Sequence, residues 1–179
     1  MPHILRAVRL AALGPTIVLF LLCTVHLTVF GRAPARIQAG VVVHVVDGDT
    51  VWVKTASIAK PLKVRILGID APEICQTGGW ASRDALYYRL LHQQVTLTVS
   101  SGRQHDDYGR VLARIDFRGE DVGHWMVSNG LAWSYAYRRS PGLYAYEQSQ
   151  AEGSRRGLFG DTAPEAPWRF RKRHGTCYF

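Results

Sequence analysis

Hydrophobic positions gather in two runs of β-branched or aromatic residues, 41–46 and 50–54, with the polar Asp47-Gly48-Asp49 between them. Such side chains suit a pleated, half-buried surface and Asp-Gly favours a turn or bulge, so the pattern predicts a two-strand unit. A third run, Leu62-Lys63-Val64-Arg65-Ile66-Leu67, sets Leu62, Val64 and Ile66 on one face and Arg65 on the other, because successive strand side chains point opposite ways. Gly68 and Pro72 punctuate its exit, leaving Asp70 and Glu73 where the backbone can turn back towards Arg65.

From Trp80 to His92 the chain lacks Gly and Pro, and apolar residues recur at spacings of three and four: Ala81, Ala85 and Tyr88, with Leu86 and Leu90 alongside. That periodicity predicts a helix with one face on a core. Strict alternation returns at Val95–Val99, and Val111–Phe117 reads as another strand, with the turn His105–Arg110 between the two. A helix from about Asp121 to Ser128 is expected to stop at Asn129-Gly130. Leu143 to Arg155 reads as a last amphipathic helix, and Pro164, Pro167 and the run Arg169-Phe170-Arg171-Lys172-Arg173 predict an irregular basic tail. No internal repeat or low-complexity region interrupts this order.

The start of the chain has a different character. Residues 1–9 are basic, and Leu10–Phe30 form a run of 21 residues that is almost uncharged and apolar, broken by Gly14, Pro15 and His26. The run exceeds the core of an ordinary signal peptide and approaches the roughly 20 residues needed to span a bilayer. Pro15 shortens its uninterrupted part, and Ala33-Pro34-Ala35 has the small-x-small form of a cleavage site. A cleaved signal peptide and a retained membrane anchor both fit, and a buried core helix is the plainer alternative. Under either targeting reading the basic start stays in the cytoplasm and the domain is exported, to the periplasm, the medium or the outer face of a membrane. The expected organisation is therefore a signal peptide or anchor at 1–35, one domain at 36–160 and a basic tail at 161–179.

Charge changes the picture of the partner. The chain carries 22 Lys and Arg against 14 Asp and Glu, a formal net charge of +8. Setting aside Arg6, Arg9 and Arg32 leaves 19 against 14, so the remainder keeps a net of +5. Eighteen of the 22 basic residues are Arg, which can hold phosphate through two parallel hydrogen bonds where Lys offers a point charge. The balance points to a polyanionic partner, with a merely solvated cationic surface as the alternative. Among the cysteines, Cys23 falls in the apolar run, which leaves Cys75 and Cys177 able to pair in an oxidising compartment or to stay apart. The absence of any CxxC pair excludes a cysteine metal site, and none of the seven His has an HExxH spacing.

Four of the fourteen carboxylates, Asp47, Asp49, Asp70 and Glu73, lie beside the first three predicted strands, with Arg65 among them. Acids and a guanidinium at these positions suggest a metal and phosphate site, against which stands a structural ion-pair network across a turn. Asp47 fits a turn residue as well as a secondary influence on a metal. Trp52, Trp80, Trp125, Trp133 and Trp168 are expected in the core or at its rim.

The order of three strands, helix, two strands, helix, helix carries DGDT in the first turn, R-x4-D-x2-E from Arg65 to Glu73, and D-x-Y-G-R from Asp106 to Arg110. Taken together, these resemble the staphylococcal nuclease (thermonuclease-like) family over about residues 40–160. The resemblance implies an α+β domain, an OB-fold five-stranded β-barrel with three helices, preceded here by the hydrophobic segment. It implies a monomeric hydrolase, a phosphodiesterase or endonuclease acting on DNA or RNA. It also implies that Asp49 and Asp70 ligate Ca2+ together with the backbone carbonyl of Ala71, that Glu73 activates the attacking water, and that Arg65 and Arg110 hold the phosphate. Tyr108 corresponds to an aromatic beside the nucleotide, and Tyr135 and Tyr137 to a second aromatic pair where the spacing slips by about a residue. Ala71 stands where many members have Thr, and Asp107 where a basic residue is common.

The chemistry suits these residue types. Hydrolysing a phosphodiester requires a proton to leave the attacking water and charge on the non-bridging oxygens to be offset. Hard oxygen ligands suit Ca2+, and a positioned base contributes about 10² to 10⁴ in rate. The alternatives of another class are a non-catalytic oligonucleotide-binding OB-fold module and a membrane-tethered interaction domain.

Overall fold

The computed structural model describes residues 36–137 and 140–177, and the expected signal peptide or anchor at 1–35 lies outside the described residues. The elements run β1 (Arg36–Val45), β2 (Thr50–Thr55), β3 (Leu62–Ile66), β4 (Ile69–Asp70), α1 (Gly79–Leu90), β5 (Gln94–Val99), β6 (Val111–Phe117), β7 (Glu120–Asp121), α2 (Val122–Ser128), β8 (Trp133–Ser134), α3 (Ala145–Gly153) and α4 (Pro167–His174). A short 3-10 turn at Gly157–Gly160 lies between α3 and α4. Among the described residues no helix is long and apolar enough to cross a membrane.

Strand β1 pairs antiparallel with β2 and with β5, β2 pairs with β3, and β5 with β6. The parallel pairing of β3 with β6 closes the ring. Five strands thus form an OB-type barrel within an α+β domain, and closure removes the unpaired edges that an open sheet would expose. The short β7 pairs antiparallel with β6, and β4 pairs with β8 outside the barrel.

Alternation fills the barrel. Val51 and Val53, Val64 and Ile66, Val95 and Leu97, and Ala113 and Ile115 all turn inward and are buried. Each fully buried Val, Leu or Ile stabilises the fold by about 1.5–3 kcal/mol relative to its exposed state. A register shift between Val42 and His44 in β1 acts as a bulge, so Val42 and Val45, three residues apart, both reach the core. The extra residue is why simple alternation fails locally. Strand β1 also begins at Arg36, ahead of the apolar run expected from 41. Its early part is held by ladder hydrogen bonds to β5 rather than by an apolar face, since Ile37 is exposed.

Helix α1 forms where the periodicity predicts it, but on a rotated face. Gly79, Ser82, Leu86 and Leu90 are buried, whereas Ala81 and Tyr88 are exposed. The Leu86/Leu90 pair one turn apart sets the face, and Ser82 shares it because its hydroxyl donates to the Leu131 carbonyl at 2.6 Å. Asp121 caps α2 by accepting from the His124 N–H at 3.1 Å, and the helix ends at Asn129-Gly130 as expected. Trp80 and Trp168, expected in the core or at its rim, are exposed, while Trp52, Trp125 and Trp133 are partly buried.

The basic tail is corrected by the structure. Residues 167–174, expected to be irregular, form α4, with Pro167 at its first turn where a missing N–H costs nothing. Among the described residues there are four α-helices rather than the three expected. Cys75 and Cys177, whose pairing the cysteine count left open, are joined in a disulfide.

Candidate active site

The barrel's pairing assembles the site. Thr50 lies opposite Arg65 across β2 and β3, and Arg65 lies opposite Leu112 across β3 and β6. The Asp47–Asp49 turn and the Asp106–Arg110 loop therefore meet at Arg65. Its guanidinium is fixed by the Ile66 and Ile69 carbonyls at 2.9 and 2.8 Å. Its Nη2 then stands 3.1 Å from Asp49 Oδ2 and 3.3 Å from Asp70 Oδ1. Arg65 thus bridges two acids from separate elements.

Asp49 is held from several sides. Its N–H donates to Asp47 Oδ1 at 3.0 Å, the Thr50 hydroxyl donates to its Oδ1 at 2.9 Å, and the Ala71 N–H donates to its Oδ2 at 3.0 Å. Asp47 is therefore a turn residue that orients Asp49. Gly48 permits the arrangement, because a Cβ there would fall 2.0 Å from Ser82 Oγ and 2.7 Å from the Ala71 Cβ. Helix α1 and the Asp70–Ala71 segment close directly over the turn.

Glu73 sits at the cleft with its side chain 13 % exposed. Its N–H donates to Gln76 Oε1 at 3.2 Å, and the Gln76 N–H donates back to the Glu73 carbonyl at 2.9 Å. Gly79 opens α1 hard against this turn, where a Cβ would lie 2.0 Å from that carbonyl. Pro72 and this double clamp fix the direction in which Glu73 projects.

Arg110 closes the site from the end of the loop before β6. Its Nε donates to Asp106 Oδ2 at 2.6 Å, its N–H to Asp106 Oδ1 at 2.9 Å, and its Nη1 to Thr50 Oγ1 at 3.1 Å. Since Thr50 in turn donates to Asp49, a continuous chain of hydrogen bonds links Arg110 to the acids. Burial raises the Asp106 carboxyl, but the hydrogen bonds and charge of Arg110, with the Tyr108 N–H, outweigh it and hold Asp106 below its ordinary range. Tyr108 is 81 % exposed at the rim, its ring centroid 5.4 Å from the Arg110 guanidinium carbon. Asp107 is paired with Arg103.

Sequence reasoning missed one residue in the middle of the cluster. Arg171, on α4, donates through Nη1 to Asp70 Oδ1 at 3.1 Å and Glu73 Oε1 at 3.0 Å, and through Nη2 to Asp70 Oδ2 at 3.0 Å. Burial alone would lower its pKa, but hydrogen bonds and charge, from Asp70 first and Glu73 next, raise it, so Arg171 is cationic at every accessible pH. Burial also raises the Asp70 carboxyl, Arg171's hydrogen bond pulls it back, and the charge of Asp49 adds to the rise. The signal was there: Cys75 follows Glu73 by two positions and Cys177 follows Arg171 by six, so one bridge brings the two together.

A cleft of about 510 Å³ is lined by Asp47, Asp49, Arg65, Asp70, Ala71, Glu73, Tyr108, Arg110, Tyr135 and Arg171, among others. It collects the expected acids, arginines and two of the three tyrosines. Tyr137 is exposed and does not line it. Among the described residues no three Asp, Glu, His or Cys side chains converge as a metal cage of their own. Two buried Asp beside main-chain oxygens nevertheless form a hard donor set. Such a donor set fits a hard divalent cation.

A closed five-stranded barrel with acids and arginines gathered around one cleft defines an OB-fold domain. The family model described as "Staphylococcal nuclease homologue" matches residues 63–161. A protein named "Uncharacterized endonuclease" from Escherichia coli is 36 % identical over 135 residues, 75 % of this chain and 85 % of that protein. A "Micrococcal nuclease" from Shigella flexneri is 33 % identical over 145 residues, 74 % and 80 % of the two chains. A further "Uncharacterized endonuclease", from Haemophilus influenzae, is 33 % identical over 132 residues, 74 % and 72 %. The chain belongs to the staphylococcal nuclease family, a family of hydrolytic nucleases.

Proposed function

We propose that this chain is an exported, Ca2+-dependent nuclease that hydrolyses phosphodiester bonds of DNA or RNA with little sequence preference and leaves a 3′-phosphate. The observation that carries this reading is the meeting of Asp49, Asp70, Glu73, Arg65 and Arg110 around one cleft, although they come from separate elements. Export rests on the apolar segment at 10–30 and agrees with a disulfide in the domain.

Asp49, Asp70 and the Ala71 carbonyl are the groups that would hold Ca2+, which when bound supplies Lewis-acid charge to the phosphate and favours deprotonation of water. Glu73, fixed by Gln76 and Pro72, takes the proton from the attacking water. Arg65 and Arg110 present charge-assisted donors to the non-bridging oxygens, and each is already oriented by carbonyl or carboxylate partners, so little ordering is required on binding. Tyr108 and Tyr135 offer exposed ring faces on which a base of any sequence can stack. Retention of Glu73 and both arginines favours this reading over a non-catalytic oligonucleotide-binding module.

The test uses the full chain in detergent with single-stranded DNA. Cleavage is expected with Ca2+, to vanish in chelator and to return when Ca2+ is restored; undiminished cleavage in chelator would remove the metal from the account.

A further inference from the structure

We propose that α4 is a disulfide-held cap whose Arg171 occupies the cation position of the site, so that a divalent ion binds only after Arg171 leaves Asp70 and Glu73. The inference rests on the cation reading of the preceding section and adds what controls access to that site.

Both Asp70 oxygens are engaged by the Arg171 fork, at 3.1 and 3.0 Å, and Oδ1 also faces Arg65 Nη2 at 3.3 Å. The same Arg171 nitrogen takes Glu73 Oε1 at 3.0 Å. A carboxylate whose two oxygens are chelated by a guanidinium has its chelating face taken, and a second cation placed there meets a fixed positive charge. The proposed metal ligand and the proposed base are blocked by one side chain.

The cap is pinned on both sides of Arg171. Upstream, the Glu165 carbonyl accepts from Gln76 Nε2 at 2.6 Å. Downstream, Cys177 is bonded to Cys75, and Thr176 joins Arg171 in lining the cleft. Both anchors, Cys75 and Gln76, belong to the turn immediately after Glu73. The strap is thus fastened to the base it covers. Tethering makes the competition intramolecular, with an effective concentration for Arg171 on the order of millimolar or above. A cation must overcome that competitor before it binds.

Isothermal titration of the full chain in detergent with Ca2+ tests the cap directly. R171Q is expected to bind Ca2+ on the order of tenfold more tightly than wild type. C177S, and wild type treated with dithiothreitol, which becomes its cyclic disulfide while the bridge becomes two thiols, should shift the same way. These two arms keep the test open if R171Q does not fold, as judged by circular dichroism. Equal or weaker Ca2+ binding in the folded variants overturns the cap. Weakened binding of single-stranded DNA with unchanged Ca2+ affinity in R171Q also overturns it, by making Arg171 a substrate contact. Failure of wild type and every variant to take up millimolar Ca2+, with cleavage persisting in chelator, removes the cation reading itself and the cap with it.

Discussion

Arg171 Nη1 lies 3.0 Å from Glu73 Oε1, across a sequence separation of 98 residues. The contact joins the proposed general base to a cation delivered by the C-terminal helix. While it holds, Oε1 of Glu73 is engaged by a guanidinium. The turn that carries Glu73 and the segment that carries Arg171 are tied by the Cys75–Cys177 bridge.

The turn that carries Asp49 depends on a missing side chain. Gly48→Ala places a Cβ 2.0 Å from Ser82 Oγ and 2.7 Å from the Ala71 Cβ, where helix and loop are already packed. Overpacking of this kind costs about 1–3 kcal/mol, and each kcal/mol lowers the melting temperature of a domain this size by about 2–4 °C. Thermal melts of the variant against wild type check this; an unchanged melting temperature would mean the turn relaxes freely.

Arg65 and Arg110 differ in what else they hold. Arg65 satisfies the Ile66 and Ile69 carbonyls as well as two acids, so Arg65→Ala should lower both stability and cleavage rate. Arg110 is held by Thr50 and one acid, Asp106, against the two acids and two carbonyls that hold Arg65, so Arg110→Ala should lower the rate with a smaller loss of stability. Hydrogen bonds to charged groups contribute about 1.5–3 kcal/mol each, which sets the scale of the Arg65 loss. Paired urea titrations and single-turnover rates separate the two effects.

Much of the barrel was legible because alternation and turn residues are local signals. The strands at 50–54, 62–66, 95–99 and 111–117 and the stop at Asn129-Gly130 follow from them. The bulge that brings both Val42 and Val45 inward was not legible, since an inserted residue breaks the period that reveals strands. Nor was the buried face of α1, where Ser82 is chosen by a carbonyl and a close-packed glycine rather than by apolarity. Asp49, Asp70, Glu73, Arg65 and Arg110 stood out through joint spacing. Arg171 did not, because one Arg in a basic run carries no periodic signal and only the long-range disulfide assigns it a place.

Acid titration should reveal the Asp106–Arg110 pair. A carboxyl held below its unfolded value, about 3.9, contributes stability that is present above that value and is lost as pH falls through the lower folded value. Asp106→Asn lacks this contribution at every pH. The stability gap between wild type and the variant should hold from pH 7 down to about 5 and shrink steadily below about 4. A gap that stayed constant into strong acid would show that Asp106 is not paired in solution.

The account turns most directly on Glu73, and its single-turnover cleavage of single-stranded DNA in saturating Ca2+ is the measurement to make. Glu73→Gln keeps the shape and an acceptor for Arg171 but cannot take a proton, so the rate should fall by about 10² to 10⁴ while the melting temperature stays within a few degrees. A rate equal to wild type would contradict the assignment of Glu73 as the base and, with it, the reading of the cleft as a catalytic centre built on these residues.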